Sequence, residues 1–387
     1  MHNLAPFSLY VLLLPTLTIF LFGLWLTYVL TRWPLASLFV AAVKSGVFLV
    51  YYSLLFNGTF TFVDDWKYLH RGEALLSQGV SVTNLFTHLP ELFYQAAGQH
   101  FVYYLYNADC FRLFGAAYYS PVAMNVILSF IAADAMVTAV KRQLGFTKKQ
   151  SAGLFVFITL HPDIVAWSTI MNGKDILIMT GVSVATYAVS LLERKKYRSA
   201  LLVALMVGLV LFFTRFYIPL LLASALVISI SKTSSHQRRI TVWLLAITLF
   251  FGALWATTKD GLEIAYSNLQ QNFVNPLYGV PRMFLTPAPF RADEAYAFLT
   301  MPQLFHWALA PVLLYGLYHI QRKATLLARF VVVYFLLALL LYGIFEELQG
   351  PRHRVQLDGL IALFQFCGIL ELLKHYKSTT AAKIYLK

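Results

Sequence analysis

Long apolar runs, separated by short polar turns, recur along the whole chain. Several approach the roughly 17–25 residues that an α-helix needs to cross a bilayer. The runs lie near 8–31, 36–57, 119–140, 150–168, 174–192, 199–214, 216–231, 239–257, 303–321, 327–346 and 357–374. This pattern predicts an all-α fold, a polytopic transmembrane helical bundle of about eleven spans. Residues 1–387 are expected to form a single membrane domain.

Composition and charge placement support this prediction. Hydrophobic residues make up 59% of the chain and charged residues only 12%, whereas soluble domains carry about 25% charged residues. In a soluble protein the net charge of +13 would suggest a nucleic-acid partner. Here most basic residues fall in alternate short turns, the positive-inside pattern of membrane proteins. We therefore expect no nucleic acid and a bacterial inner-membrane location, with the N-terminus outside and the C-terminus inside.

With this orientation, two longer segments lie on the extracytoplasmic side, at 58–118 and 258–302. In the first, aromatic and aliphatic residues alternate irregularly with His100, Asp109 and Arg112. Such mixing predicts short amphipathic helices in the membrane interface. Charged residues that topology does not require collect in these segments and in the turns beside them, and they are the candidates for chemistry.

The strongest candidate is the acidic pair Asp64 and Asp65, which follows an apolar run directly. Successive helical residues project about 100° apart, so we expect only one of the two to face a given cavity. Either carboxylate could be a general base or a ligand of a divalent metal ion, Mg²⁺ or Mn²⁺. The structural alternative is that the pair caps the helix that follows.

A second candidate region lies between the runs 150–168 and 174–192. Pro162 is expected to interrupt the first run, and Asp163 could assist the acidic pair across a cavity. Lys174 precedes a predicted helix N-terminus, a natural phosphate site, and Asp175 would lie in its first turn. A solvated hairpin with a well-capped helix is the alternative interpretation.

The remaining candidates are arginines near helix breaks. Arg215 lies between two apolar runs, where it either reaches lipid headgroups or binds a phosphate. Arg352 and Arg354 flank His353 before the last apolar run, and guanidinium groups suit phosphate or pyrophosphate. An ion-pair cluster with neighbouring glutamates is the alternative. No Walker loop, dinucleotide fingerprint or zinc-ligand spacing is present in the sequence.

Together these motifs resemble the GT-C superfamily, integral membrane glycosyltransferases that use polyprenyl-phosphate-linked sugars. The resemblance is carried by the segments at 62–68, 162–175, 214–217 and 350–354. It implies a lipid-phosphate sugar donor and a glycan, lipid or protein acceptor. It also implies inverting displacement at the anomeric carbon, with a base at Asp64 or Asp65. Phosphate contacts would come from Lys174, Arg215, Arg352 or Arg354.

Two other functions remain open at this point. A polysaccharide polymerase or ligase acting on lipid-pyrophosphate-linked glycans would also use arginines on the outer face. A flippase or other transporter of lipid-linked saccharides would instead place ionisable residues at the middle of the membrane.

Overall fold

The computed structural model of the chain describes residues 5–96, 101–231 and 273–385. Within these ranges every regular element is helical, and the only β-type contact is an isolated bridge between Phe273 and Phe345. The predicted all-α class is therefore confirmed for the described part of the chain.

The helices are numbered here in chain order. They are α1 (Leu9–Thr31), α2 (Pro34–Val50), α3 (Val63–Ser77), α4 (Leu89–Ala96), α5 (Phe101–Phe114), α6 (Tyr119–Gln143), α7 (Lys148–Thr159), α8 (Pro162–Ile170), α9 (Asp175–Glu193), α10 (Tyr197–Arg215), α11 (Tyr217–Ser231), α12 (Pro276–Leu285), α13 (Thr300–Gln321), α14 (Leu326–Ile344) and α15 (Asp358–Tyr385). A short helical turn, Pro351–Arg354, leads into α15 through Val355–Leu357.

Among the described residues, eight helical stretches are long and apolar enough to cross a membrane. They are Leu9–Thr31, Pro34–Leu55, Tyr119–Gln143, Asp175–Glu193, Tyr197–Arg215, Glu294–Gln321, Leu326–Ile344 and Pro351–Tyr376. The pair α7 and α8 passes the same test only when taken together, and α11 is apolar but shorter. The predicted run at 239–257 lies outside the described residues. The chain therefore has the helices of a multi-pass membrane protein, and the number of about eleven spans stays a prediction.

The break between α7 and α8 is local and has an identifiable cause. Pro162 occupies the first position of α8, where its missing N–H is harmless, but it cannot continue the hydrogen-bond ladder of α7. The two helices are bent by 45° relative to each other. The prediction that Pro162 interrupts this apolar run is confirmed, and the break directs the first turn of α8 into the protein.

The segment 58–118 contains α3, α4 and α5. Most side chains of α5 are buried, so α5 is part of the packed core that positions α3. A Cβ atom at Gly72 of α3 would lie 2.6 Å from Cβ of Asn107 in α5. Because glycine allows this close approach, the middle of α3 packs directly against α5.

Two further helix contacts depend on glycine. A Cβ atom at Gly316 in α13 would lie 1.8 Å from the carbonyl oxygen of Phe364 in α15. One at Gly279 in α12 would lie equally close, 1.8 Å, to the carbonyl oxygen of Gly343 in α14. Small residues of this kind let the backbones of membrane helices touch.

Side chains from α13 and from the turn before α15 form hydrogen bonds to the C-terminal end of α12. Gln303 and Trp307 each donate to the carbonyl oxygen of Leu285 at 2.9 Å. Arg354 donates to the carbonyl oxygens of Phe284 at 3.1 Å and Thr286 at 3.0 Å. These bonds satisfy carbonyl groups that a helix end leaves without partners.

Candidate functional site

Five charged residues from distant parts of the sequence meet at one end of the bundle. They are Asp64, Lys174, Asp175, Arg215 and Arg352, called here the Arg352 cluster. Asp64 lies in the first turn of α3, and Lys174 and Asp175 lie at the start of α9. Arg215 ends α10, and Arg352 lies in the turn before α15. The fold thus brings together residues from four separate segments of the sequence.

Arg352 joins the two carboxylates of this cluster. Its Nη1 donates to Oδ2 of Asp64 at 2.9 Å, and its Nε donates to Oδ2 of Asp175 at 2.8 Å. The side chain of Arg352 is 12% exposed and that of Asp175 is 3% exposed, whereas that of Asp64 is 54% exposed. The guanidinium group of Arg352 therefore links a buried carboxylate, that of Asp175, to one that solvent can reach, that of Asp64.

Asp175 holds the cluster together from the N-terminus of α9. Its Oδ1 accepts from Nε2 of Gln356 at 2.9 Å and lies 3.6 Å from Nη2 of Arg215. Nη1 of Arg215 in turn donates to the hydroxyl of Tyr217 at 2.7 Å. A carboxylate in the first turn of a helix is favoured by the helix dipole. The expected position of Asp175 in that first turn is confirmed.

Lys174 is buried beside the same carboxylate. Its Nζ lies 5.6 Å from the centroid of the Tyr68 ring, a cation–π distance. Burial, reinforced by the positive charge of Arg215, lowers the pKa of Lys174 well below its ordinary value, and Asp175 opposes the shift. An anion bound next to this amine would favour its charged form, so Lys174 is suited to respond to a phosphate.

Asp65 has a different environment from Asp64. It is fully buried, and its Oδ2 accepts both the backbone N–H of Phe62 at 3.1 Å and the hydroxyl of Tyr118 at 2.9 Å. Among the described residues, its Oδ1 has no hydrogen-bond partner. Burial raises the pKa of Asp65 to about 7, against the lowering effect of Arg352. Asp65 therefore caps α3, as the structural alternative predicted for the pair, while Asp64 faces Arg352.

A buried amide network ties this capped turn to the start of α9. Asn172 donates its backbone N–H to the Tyr118 hydroxyl at 3.2 Å and its side-chain Nδ2 to Oδ1 of Asn107 at 2.8 Å. The hydroxyl of Tyr103 donates to Oδ1 of Asn172 at 2.9 Å. Asn172 therefore positions the acidic pair relative to Lys174, a role beyond the turn chemistry that its sequence context predicts.

A second buried group of charges, the Asp163 cluster, comprises Asp163, His306, Arg354 and Asp358. Oδ1 of Asp163 lies 3.6 Å from Nη2 of Arg354, and its Oδ2 lies 4.0 Å from Nδ1 of His306. Nη2 of Arg354 also donates to Gln303 at 2.7 Å. Asp358 is fully buried, and the charges of Asp163 and Arg354 both act on it.

The predicted phosphate ligands Arg352 and Arg354 therefore belong to different clusters. The contacts of Arg354 join it to Asp163 and to the end of α12, and its side chain is 1% exposed. Asp163 pairs with Arg354 rather than with the acidic pair of α3. His353 lies between the two arginines in sequence, and its ring centroid is 5.7 Å from that of Tyr342.

Several residues of the site carry no signal in the sequence. Gln356 bonds Asp175 and accepts the hydroxyl of Tyr342 at 2.5 Å, and Tyr217 orients Arg215. Glutamine and tyrosine are common near helix ends, so nothing in the sequence sets Gln356 and Tyr217 apart. Only the folded structure shows that Gln356 bonds Asp175 and that Tyr217 bonds Arg215. Asp358 and His306 could have been noticed as ionisable residues within or beside apolar runs.

The two carboxylates of the Arg352 cluster are both bonded to a guanidinium group. Among the described residues, no group of three or more histidine, cysteine, aspartate or glutamate side chains has the arrangement of a metal site. The expectation that Mg²⁺ or Mn²⁺ binds to the acidic pair therefore stays a prediction.

Comparisons with known proteins give no further guidance. The chain matches no protein-family model, no curated protein and no solved structure at a significant level.

Proposed function

We propose that this chain is a membrane glycosyltransferase that takes a sugar from a polyprenyl-phosphate donor and transfers it, with inversion, to an acceptor on the extracytoplasmic face. The observation that supports the proposal is the Arg352 cluster. There an accessible carboxylate, Asp64, is paired with Arg352. Arg215 and the amine of Lys174 lie around Asp175, the second carboxylate that Arg352 bonds. A phosphate leaving group and a hydroxyl nucleophile need these two kinds of group close together.

The reaction divides between these groups as follows. The acceptor hydroxyl oxygen forms the new bond to the anomeric carbon, and Asp64 takes its proton. The bond between the anomeric carbon and the phosphate oxygen breaks, and the lipid phosphate leaves with the bonding electrons. Arg352, Arg215 and Lys174 would neutralise the charge that develops on that phosphate, which should supply much of the catalysis.

Asp64 is a better candidate for the base than Asp65. A general base must come within hydrogen-bond distance of the proton that it removes. Asp64 is 54% exposed at the side chain, whereas Asp65 is buried and occupied by the Phe62 N–H and the Tyr118 hydroxyl. The pKa of Asp65 near 7 would suit a base, but the greater exposure of Asp64 supports Asp64 as the proposed base.

The Asp163 cluster favours the transporter alternative. Ionisable residues buried inside a membrane bundle commonly mark ion or substrate pathways, and Asp163 and Asp358 are both fully buried. A polymerase or ligase is less favoured, because Arg352 and Arg354, which a pyrophosphate would engage together, lie in separate clusters.

The test is to compare Asp64→Asn with its neighbour Asp65→Asn, each in the purified full chain. The assay measures sugar transfer from a pool of polyprenyl-phosphate sugars to acceptors in a membrane extract, with size exclusion as the folding control. We expect Asp64→Asn to lose transfer by roughly 10²–10⁴-fold while it still binds donor. Asp65→Asn should keep most of its activity.

Three results would contradict the proposal. Transfer at the wild-type rate by Asp64→Asn would remove Asp64 as the base. Consumption only of pyrophosphate-linked glycans by the wild-type protein would favour a polymerase or ligase. Movement of lipid-linked saccharide across vesicle membranes without any transfer would favour a transporter.

A further inference from the structure

A polar pocket lies at the end of the bundle opposite the Arg352 cluster. It is formed by α7, α13, α15 and the turn at 144–146, and it encloses about 260 Å³. Helix α14 runs from one end of the bundle to the other. It begins at Leu326, just after the pocket residue Lys323, and it ends at Ile344, before the turn that carries Arg352. The pocket is therefore separate from the proposed active site by the length of a spanning helix.

Polar side chains from three helices, and from the turn after α13, converge on this pocket, which is called here the basic-end pocket. Its polar lining comprises Gln150, His319, Lys323, Glu371 and Lys374. Nζ of Lys374 lies 2.7 Å from Oε1 of Glu371. Two lysine side chains and one glutamate side chain line the pocket, so the lining carries a net positive charge.

Gln150 adds a donor with a fixed orientation. Its Oε1 accepts the backbone N–H of Thr147 at 2.9 Å, and Oγ1 of Thr147 accepts the backbone N–H of Gln150 at 3.2 Å. This reciprocal capping box fixes the start of α7. Because the oxygen of Gln150 is used in the cap, its amide NH₂ is the end that can donate to a ligand.

The surroundings of the pocket point to a lipid. Beside its polar side chains the pocket is lined by apolar ones, those of Leu144, Phe146, Ile320 and Leu370. Basic pockets between membrane helices at the cytoplasmic side are typical binding sites for acidic lipid headgroups. Lysine side chains there place their charge at headgroup depth while their methylene stems cover apolar surface.

We propose that the basic-end pocket binds the phosphate of an acidic phospholipid headgroup. Lys323, Lys374 and the Gln150 amide contact the phosphate, and the apolar lining residues, among them Ile320 and Leu370, contact the glycerol backbone and the start of the acyl chains. The single negative charge of a phosphodiester matches the net charge of the lining. This proposal is independent of the reaction at the Arg352 cluster.

The experiment titrates the purified full chain in detergent with dioctanoyl phosphatidylglycerol, dioctanoyl phosphatidylcholine or inorganic phosphate. A ligand that binds the folded state raises the apparent Tm, so the titration gives an apparent Kd. We expect stabilisation by phosphatidylglycerol and none by phosphatidylcholine. The double variant Lys323→Gln with Lys374→Gln should bind phosphatidylglycerol roughly 25-fold more weakly, about fivefold for each lysine.

The matched control is Lys195→Gln with Lys196→Gln, which removes the same charge from the turn between α9 and α10. Its affinity should stay within about twofold of wild type if the pocket, and not overall surface charge, binds the lipid. A second pocket variant, Gln150→Glu, keeps the cap of α7 while adding a negative charge, and should also weaken binding. It keeps the test usable if the lysine variant does not fold.

Three outcomes would overturn the proposal. Equal weakening in the control would show that binding is diffuse surface attraction. Equal stabilisation by phosphatidylcholine would show that the headgroup charge is not recognised. Saturation of the effect by inorganic phosphate, with no preference for the lipid, would identify a site for free anions instead.

Discussion

Replacing Asp65 with asparagine should make the protein more stable at neutral and alkaline pH. Oδ2 of Asp65 accepts both hydrogen bonds that the side chain makes, from the Phe62 N–H and the Tyr118 hydroxyl. An asparagine with its carbonyl oxygen in that position keeps both bonds. The substitution therefore removes the ionisable group at nearly constant shape and bonding.

The sign and size of the effect follow from the pKa of Asp65. The folded protein holds this proton up to a pKa of about 7, whereas the ordinary value is 3.8. Between these values the folded state binds more protons than the unfolded state, so stability falls as pH rises through this window. Above it, ionisation of the buried carboxyl costs roughly 4 kcal/mol, which Asp65→Asn avoids.

The assay is the apparent Tm of wild type and variant, followed by tryptophan fluorescence between pH 4 and pH 8 (about the limits of the window). The difference in Tm should be near zero at the acidic end and should grow as pH rises. Glu294→Gln, which removes an exposed carboxylate far from Asp65 in the sequence, is the control and should show no such trend. A Tm difference that is independent of pH, or that shrinks as pH rises, would refute the assignment of the buried proton to Asp65.

Two further predictions concern ion pairing and helix packing. Arg352→Lys replaces the separately placed Nε and Nη1 donors by a single nitrogen, which cannot occupy both positions, so donor binding should weaken by about 10–100-fold in a direct binding assay. The partly exposed Arg112→Lys should leave donor binding unchanged, and equal losses would contradict the role of the fork. Gly316→Ala forces a Cβ onto the carbonyl oxygen of Phe364 and should destabilise the protein by at least about 1–3 kcal/mol. Gly46→Ala meets no atom within 4 Å, and a similar loss of Tm there would show that packing at Gly316 is not the cause.

Much of the fold could be predicted from the sequence, because apolar runs and prolines act locally. Pro162 breaks its run where the sequence predicts it, and Asp175 begins a helix as expected. The run at 239–257 lies outside the described residues. The orientation of the bundle across the membrane rests on the distribution of basic residues and stays a prediction.

The site was predictable in its members but not in their pairing. Arg352 and Arg354 are two residues apart on a helical turn, so their side chains project about 200° apart and enter different clusters. The same argument, applied to Asp64 and Asp65, correctly predicts that the two carboxylates face different surroundings. The partner of each charged group is set by tertiary contacts, as with Gln356 and Asp175, and no local pattern encodes these contacts.

The contacts of Arg352 have a consequence for how the chain is made. Its partners Asp175 and Asp64 precede it by 177 and 288 residues. During synthesis both carboxylates, and Arg215 with them, enter the membrane region before their principal partner has been translated. A chain that stops before residue 352 would leave Asp175 with Arg215, at 3.6 Å, as its ion-pair partner, and Asp64 would have lost the guanidinium group that it bonds. The Arg352 cluster can therefore assemble in full only after the turn that precedes the last helix has been made, so its closure is a late step in the folding of the bundle.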